Sequence, residues 1–314
     1  MRAFGPVPSR RLGRSLGVNN IPPKICSYSC IYCQVGRTKQ MPVERHVFYS
    51  PDEILRDVQA KVQEANEAGE QIDYLAFVPD GEPTLDAHLG REIETLKPLD
   101  IPIAVISNAS LVWREDVRAD LMKADWVSLK VDAAEEQAWH RVDRPHRSLR
   151  LDKIREGMIA FAETFQGKLV TETMLVQEIN DQPEQIAQVA DLLAELHPAT
   201  AYLSIPIRPP AERRVKTPRE KTLQHAYQIL SRRVEQVEYL IGYEGNAFAS
   251  TGDPQQDLLS ITAVHPMRRD AVEAFLQRAG VDWTAIEELI DQQQLAEVTY
   301  EGHCFYVRRV QRDI

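Results

Sequence analysis

The chain has 314 residues, 43% hydrophobic and 27% charged, with 37 Lys and Arg against 47 Asp and Glu and a net charge of −10. That length calls for one large domain with a small companion, and the acidic balance argues against broad affinity for a nucleic-acid backbone. No apolar run approaches the ~20 residues of a membrane helix, and the N-terminus has an early charge but no apolar core, so a cytoplasmic protein with no membrane partner is expected.

Residues 1–23 are rich in Pro, Gly and Arg and read as an irregular extension, in which Ser15–Val18 could form a short first strand. Arg10, Arg11 and Arg14 make a local basic stretch there. Cys26-Ser-Tyr-Ser-Cys30-Ile-Tyr-Cys33 follows, with three of the four cysteines in eight residues. Then a regular alternation begins. Ser50-Pro-Asp-Glu53 is a capping box with Pro at the first helical position, and Ile54, Leu55, Val58, Val62 and Ala65 recur at helical spacing. Tyr74–Val78 is a buried-strand run ending at Pro79-Asp-Gly-Glu-Pro83. A helix over 86–97, a strand at Ile103–Ile106, a helix over 112–122 and a strand at Trp126–Lys130 come next.

One or two helices fill 134–165, and Leu169–Leu175 is a strand. Asp181-Gln-Pro-Glu184 and Thr217-Pro-Arg-Glu220 mark two further helix starts, with the strand Tyr202–Ile205 between those helices. A second basic stretch comprises Arg208, Arg213, Arg214, Lys216, Arg219 and Lys221. About six strand–helix units with continuous apolar strands predict a helix-covered parallel sheet, either open or a full or partial barrel.

Past residue 245 the texture changes. A small-residue linker at 245–252 leads to helices near 254–262, 268–279 and 283–292 and a hairpin of Ala296–Tyr300 and Cys304–Val307. This reads as a separate α+β domain over 253–314 with winged-helix-like topology. Its third helix carries Glu287, Glu288 and Asp291, which favours docking or substrate guiding over phosphate binding.

Tight cysteine clustering in a reducing compartment indicates metal or redox chemistry rather than disulfides. Soft thiolates select zinc, copper(I) or iron–sulfur centres. A structural zinc site takes four protein ligands, whereas Cys26, Cys30 and Cys33 offer three and the nearest histidine, His46, is 13 residues on. Three ligands on a four-iron cluster leave one iron open. The other polar strand ends have plainer readings. Pro79–Pro83 could be only a turn, Ser107-Asn108 a helix cap, and Lys130 a snorkelling lysine. Glu172 and Thr173 face either the barrel interior or a covering helix.

Cys26-x3-Cys30-x2-Cys33, with aromatic Tyr32 before the last cysteine, is similar to the signature of the radical S-adenosylmethionine (radical SAM) enzymes. The resemblance spans roughly residues 10–240. It implies a partial (βα)6 TIM-like barrel over 1–245. It also implies a [4Fe-4S] cluster on Cys26, Cys30 and Cys33, with S-adenosyl-L-methionine bound at the open iron. Asp80-Gly81-Glu82-Pro83 looks like the Gly-Gly-Glu-Pro turn that meets the methionine amino group, with Asp80 in place of the first glycine. Ser107-Asn108 resembles the strand end that reaches the ribose, and Lys130 and Asp132 fall where some members contact the methionine carboxylate.

The implied chemistry is reductive cleavage of the sulfonium to methionine and a 5′-deoxyadenosyl radical that abstracts a substrate hydrogen. An external one-electron donor of flavodoxin or ferredoxin type is implied with it. The opening Phe4–Val18 and Cys30-Ile-Tyr-Cys-Gln-Val-Gly-Arg-Thr38 look like the branch related to wyosine-base synthases, which modify transfer RNA. Those enzymes carry additional cysteines for a second cluster and this chain, with only Cys304 beyond the three, has none to spare, so a different substrate is expected: RNA, peptide or protein. The contrasting expectation is a non-catalytic iron–sulfur sensor whose C-terminal domain binds nucleic acid.

Overall fold

Continuous apolar runs form parallel strands when both faces are buried, and here strands and helices alternate along most of the chain. The computed structural model describes residues 2–242, 248 and 253–309. In chain order, β1 (Ala3–Ser9) and β2 (Gly13–Val18) lead to α1 (Pro51–Glu67), β3 (Tyr74–Phe77), α2 (Leu89–Leu96) and β4 (Ile103–Ser107). Then come α3 (Glu115–Leu121), β5 (Trp126–Lys130), α4 (Glu136–Val142), α5 (Leu151–Ala162) and β6 (Lys168–Met174). α6 (Pro183–Leu196), β7 (Thr200–Ser204), α7 (Glu220–Ser231) and β8 (Val237–Leu240) complete the larger unit.

These eight strands form one sheet in consecutive order, β2 to β8 all parallel and β1 antiparallel to β2. β8 does not pair with β1, so the sheet stays open at that seam. Side chains alternate between its faces. Leu75, Phe77, Ile103, Val105, Val127 and Leu129 pack toward the helices, while Ala76, Ala104, Trp126, Val170 and Tyr202 fill the interior floor. The same parity turns Lys130 and Glu172 inward, and the register sets them side by side. Thr173 turns the other way and donates to the Val131 carbonyl at 2.9 Å.

Ser50 caps α1 in the expected capping box. Three other readings need correction. Residues 3–9 are not irregular but form β1, because the smaller unit covers their outer face. β8 was not anticipated; its two central residues, Glu238 and Tyr239, are exposed, which hides the apolar run that marks the other strands. Asp181 and Thr217 do not cap. Gln182 takes the cap of α6, and Arg219 occupies that position in α7 without a side-chain bond.

The smaller unit contains α8 (Pro254–Val264), β9 (Met267–Arg268), α9 (Arg269–Ala279), α10 (Thr284–Asp291), β10 (Leu295–Tyr300) and β11 (His303–Arg308). Its three strands lie antiparallel in the order β10-β11-β9. Its core of Leu258, Ile261, Met267, Phe275, Ile286 and Tyr306 is continuous with Phe4 and Val7 of β1. A buried ion pair, Lys61 to Asp257 at 3.2 Å, ties α1 to α8. The expected linker at 245–252 lies outside the described residues except for Phe248, which is fully buried in that second core. Among the described residues no helix is long and apolar enough to cross a membrane.

Candidate active site

Loops at the C-terminal ends of the parallel strands enclose a cavity of about 290 Å³. Cys26, Cys30, Cys33, Tyr32, Gly81, Glu82, Ser107, Asn108 and Lys130 all line it. Pro83 and Asp132 stand behind its wall. The Glu178–Asp181 loop is not part of it: Asn180 accepts from Val176 N–H and donates to the Asp132 and Met174 carbonyls, which spends its polar groups on folding the loop.

The cysteine loop is held from outside by backbone bonds. Cys26 N–H donates to Gln40 O at 3.1 Å, Ser29 N–H to Asp143 O at 3.0 Å, and Ile31 N–H to Val142 O at 3.0 Å. Tyr28 and Ile31 are buried beneath it, and the Trp139 indole donates to the Tyr28 hydroxyl at 3.1 Å. All four cysteines are free thiols. The Cys30 thiol donates to Asp143 and the Asn108 amide to Cys26 sulfur, both at 3.4 Å.

Burial pushes all three loop thiols up, with Glu82 adding to the effect at Cys26 and Asp143 at Cys30. Such thiols ionise only beside a strong local positive charge, which a metal centre supplies. Among the described residues no three His, Cys, Asp or Glu side chains are placed to hold a metal ion. The three sulfurs line the same cavity, and three thiolates that leave a fourth position open match an iron–sulfur cluster, whereas a structural zinc site takes four protein ligands. Cys304 lies on β11, away from this cavity.

Beside the thiols the turn after β3 approaches the loop closely. A Cβ built on Gly81 would lie 1.9 Å from the Ile25 carbonyl oxygen, so only glycine fits there. Glu82 N–H donates to that same carbonyl at 3.1 Å. The Glu82 carboxylate is 1% exposed yet fully engaged: it accepts from Thr84 N–H and hydroxyl, from the Ser107 hydroxyl at 2.7 Å and from Asn108 N–H at 2.7 Å. It therefore locks the turn to the end of β4, and Ser107-Asn108 do more than cap a helix. Asp80 is 5% exposed with Oδ1 unpartnered. Burial raises its carboxyl to about 7, against the pull of Arg308 and Lys24.

On the opposite wall, Lys130 Nζ lies 3.3 Å from both Asp132 and Glu172 and 4.9 Å from the centre of the Tyr32 ring. Tyr32 hydroxyl donates to Asp132 in a short bond, and Asp132 also accepts from Met174 N–H at 2.6 Å. Glu172 pairs closely with Arg11 and accepts from Ser204 at 3.1 Å. Burial opposes its charge, but Arg11 and Lys130 outweigh that and hold the carboxyl down at about 2. Burial works against the Lys130 ammonium too, and Asp132 and Glu172 hold it charged. Lys130 is thus a largely shielded, charge-paired cation facing the cavity rather than a snorkelling surface lysine.

Sequence reasoning missed Lys24, Met174 and Ser204 on this cavity, and left Arg11 and Glu172 without a role. The inward parity of Val170, Glu172 and Met174 was the signal available for β6. Arg208 bridges the two units, with one guanidinium nitrogen 2.7 Å from Gln34 Oε1 and the other 2.9 Å from His265 Nε2. The cavity therefore combines three thiols for an iron–sulfur cluster, a glycine cradle, engaged polar strand ends and a charge-paired cation. The three-thiolate donor set fits an iron–sulfur cluster with one iron left open to a small cofactor in the cavity.

A family model described as the Radical SAM superfamily matches residues 20–193. UPF0026 protein MJ1312 of Methanocaldococcus jannaschii is 45% identical over 310 residues, covering 98% of this chain and 96% of that protein. A UPF0026 protein of Helicobacter pylori strain J99 is 37% identical over 212 residues, covering 66% of each. Among solved structures, a radical SAM methyltransferase from Sphaerobacter thermophilus superposes with a TM-score of 0.56 at 16% identity, over 72% of this chain and 66% of that one. TYW1 with a lysine-pyruvate adduct bound gives 0.52 at 16% identity, over 70% and 74%. At those identities the structural likeness concerns the fold alone.

Proposed function

The chain belongs to the radical SAM superfamily and is an enzyme of that superfamily, and from that premise we propose that it cleaves S-adenosyl-L-methionine reductively to start hydrogen abstraction from a substrate. The observation that carries this reading is the convergence of Cys26, Cys30 and Cys33 with the Gly81-Glu82 turn on one cavity. Cys26, Cys30 and Cys33 would hold a [4Fe-4S] cluster, which supplies the electron for breaking the sulfonium C–S bond.

The protein's own residues do the positioning. Gly81 lets the turn pack directly against the Ile25 carbonyl ahead of Cys26, and Glu82 fixes that turn to Ser107 and Asn108, so that the turn's backbone would face the cofactor's amino end and the β4 end its ribose. Lys130 offers a charge for a carboxylate, while Asp132 and Glu172 hold it in place. Tyr32 walls the space beside it. The buried floor of Trp126, Val170 and Tyr202 keeps water from the cavity's base, which matters when a reactive radical must meet only its substrate.

The smaller unit, read as winged-helix-like, serves as a docking or substrate-guiding module. Tyr300 of its hairpin donates to Pro206 O at 3.1 Å, and His265 meets Arg208, so it sits against the cavity's rim. The substrate would be RNA, peptide or protein, and the peptide class is in keeping with a structural neighbour described as bound to a precursor peptide. No observation favours a non-catalytic sensor.

Electron paramagnetic resonance of the anaerobically reconstituted, reduced protein tests the site. The spectrum changes when S-adenosyl-L-methionine is added, the signal vanishes in Cys30→Ser, and Cys304→Ser retains it. A signal that S-adenosyl-L-methionine leaves unchanged would remove the basis of this reading.

A further inference from the structure

Outside the cavity, the loop that carries the three cysteines is backed by arginines. Glu212 N–H donates to Ile31 O at 3.1 Å, between Cys30 and Cys33. The Glu212 carboxylate takes Arg144 at 2.5 Å, Arg214 at 2.8 Å and Arg37 at 3.6 Å. Three guanidinium groups on one carboxylate leave an excess of two positive charges. Arg144 itself is fixed to the loop, since Ser29 N–H donates to its carbonyl at 3.2 Å.

Two more exposed arginines neighbour these residues in the chain. Arg213 is exposed beside this clasp, and exposed Arg147 follows His146, whose N–H donates to Ser27 O at 2.9 Å. The adjoining Asp143 does not offset them outward, because it is buried and accepts from the Cys30 thiol. Side chains of Arg37 and Arg214 are 77% and 63% exposed. None of these arginines lines the cavity. In a chain of net charge −10, this concentration of positive charge runs against the average.

Resting on the radical SAM reading, we propose that this arginine face is the docking surface for an acidic one-electron carrier protein. Ser27, Ser29 and Ile31 lie between the ligand cysteines, and each is bonded to a backbone segment that carries or adjoins one of these arginines. A partner seated here is separated from the cysteine-held centre by the thickness of one loop, while the inner side of that loop faces the cofactor cavity. The carrier loses one electron, the centre gains it, and no atom changes partners. Complementary charge speeds such encounters and makes them salt-sensitive.

The test uses full-length, cluster-loaded protein with a reduced acidic flavodoxin as the probe, following bleaching of cluster absorbance by stopped flow. Reversal of the two exposed charges in Arg37→Glu/Arg214→Glu slows carrier-driven reduction by at least about tenfold at low salt and flattens its salt dependence. The neutral pair Arg37→Gln/Arg214→Gln gives a smaller loss in the same direction. Arg232→Glu, on the exposed end of α7, leaves the rate unchanged. Dithionite reduces all four proteins equally.

Unchanged carrier rates in both double variants overturn the docking surface. So does loss of transfer-RNA binding in those variants with carrier rates intact, which would make the face an RNA surface. Failure of dithionite to reduce even the unmodified protein would instead strike the cluster reading itself, so the two failures are told apart.

Discussion

Adding one methyl group at Gly81 tests the coupling between the cysteine loop and the turn that faces it. In Gly81→Ala the new Cβ starts 1.9 Å from Ile25 O, 2.8 Å from Ile21 Cδ1 and 2.9 Å from the Ile25 carbonyl carbon. Real Cβ contacts essentially never fall under 3.0 Å, so the loop and turn must separate by about 1.1 Å along the worst contact. The obstacle is backbone, not the end of a flexible side chain. Ile25 immediately precedes Cys26, and the bond from Glu82 N–H to Ile25 O is lost in the same movement.

Overpacking of this kind destabilises by ~1–3 kcal/mol, which leaves a folded protein to assay. A misplacement near 1 Å between reacting partners is worth about 100-fold in rate. Gly81→Ala is therefore expected to keep its three-cysteine iron content, bind S-adenosyl-L-methionine more weakly, and release 5′-deoxyadenosine about 100-fold more slowly. Iron analysis, isothermal titration and quantified product separate these effects. Binding and turnover equal to the unmodified protein would refute the claim that this close approach shapes the cofactor site.

Two buried carboxyls give further predictions with opposite signs. Glu92, fully buried against Asn20, has its carboxyl raised to about 9, by burial first and by Asp86 second. Native protein then holds a proton that the unfolded chain releases above its ordinary range near 4.5, so stability falls as pH rises from there toward 9. The slope is ~1.4 kcal/mol per pH unit, and Glu92→Gln removes it; denaturant melts at about pH 6 and pH 8 should diverge for the unmodified chain and stay closer for the variant. Glu172 is the reverse case, depressed to about 2 by Arg11 and Lys130 against the effect of burial. Its contribution is present above the ordinary carboxylate range and is lost as pH falls toward 2. Glu172→Gln leaves Arg11 and Lys130 short of a counter-charge and destabilises by ~3 kcal/mol at neutral pH, and an unchanged melting midpoint would count against the network.

Much of the site was readable because its residues are placed by two simple rules. Strand ends gather on one rim of a parallel sheet, and Gly81, Ser107 and Lys130, singled out by the resemblance, all stand at such ends. Cysteine spacing picked out the loop whose three thiols line the cavity. What stayed hidden has physical causes. Glu172 and Ser204 belong to the site through cross-strand register, which no single strand's sequence states. β1 looked irregular because its burial comes from α8 and Phe248, some 250 positions away in the chain. Arg208 became a bridge only when α8 delivered His265 to it. Thr217 and Asp181 carried plausible cap chemistry, yet neighbouring residues took the helix starts.

On the proposed reading, the three thiols and the turn at Gly81 hold a cluster and S-adenosyl-L-methionine for reductive cleavage. Anaerobic incubation of the reconstituted protein with S-adenosyl-L-methionine and dithionite measures it most directly, by counting 5′-deoxyadenosine and methionine. Both products are expected in equal amounts, with none from Cys30→Ser. Iron-loaded, reduced protein that leaves S-adenosyl-L-methionine intact would contradict it.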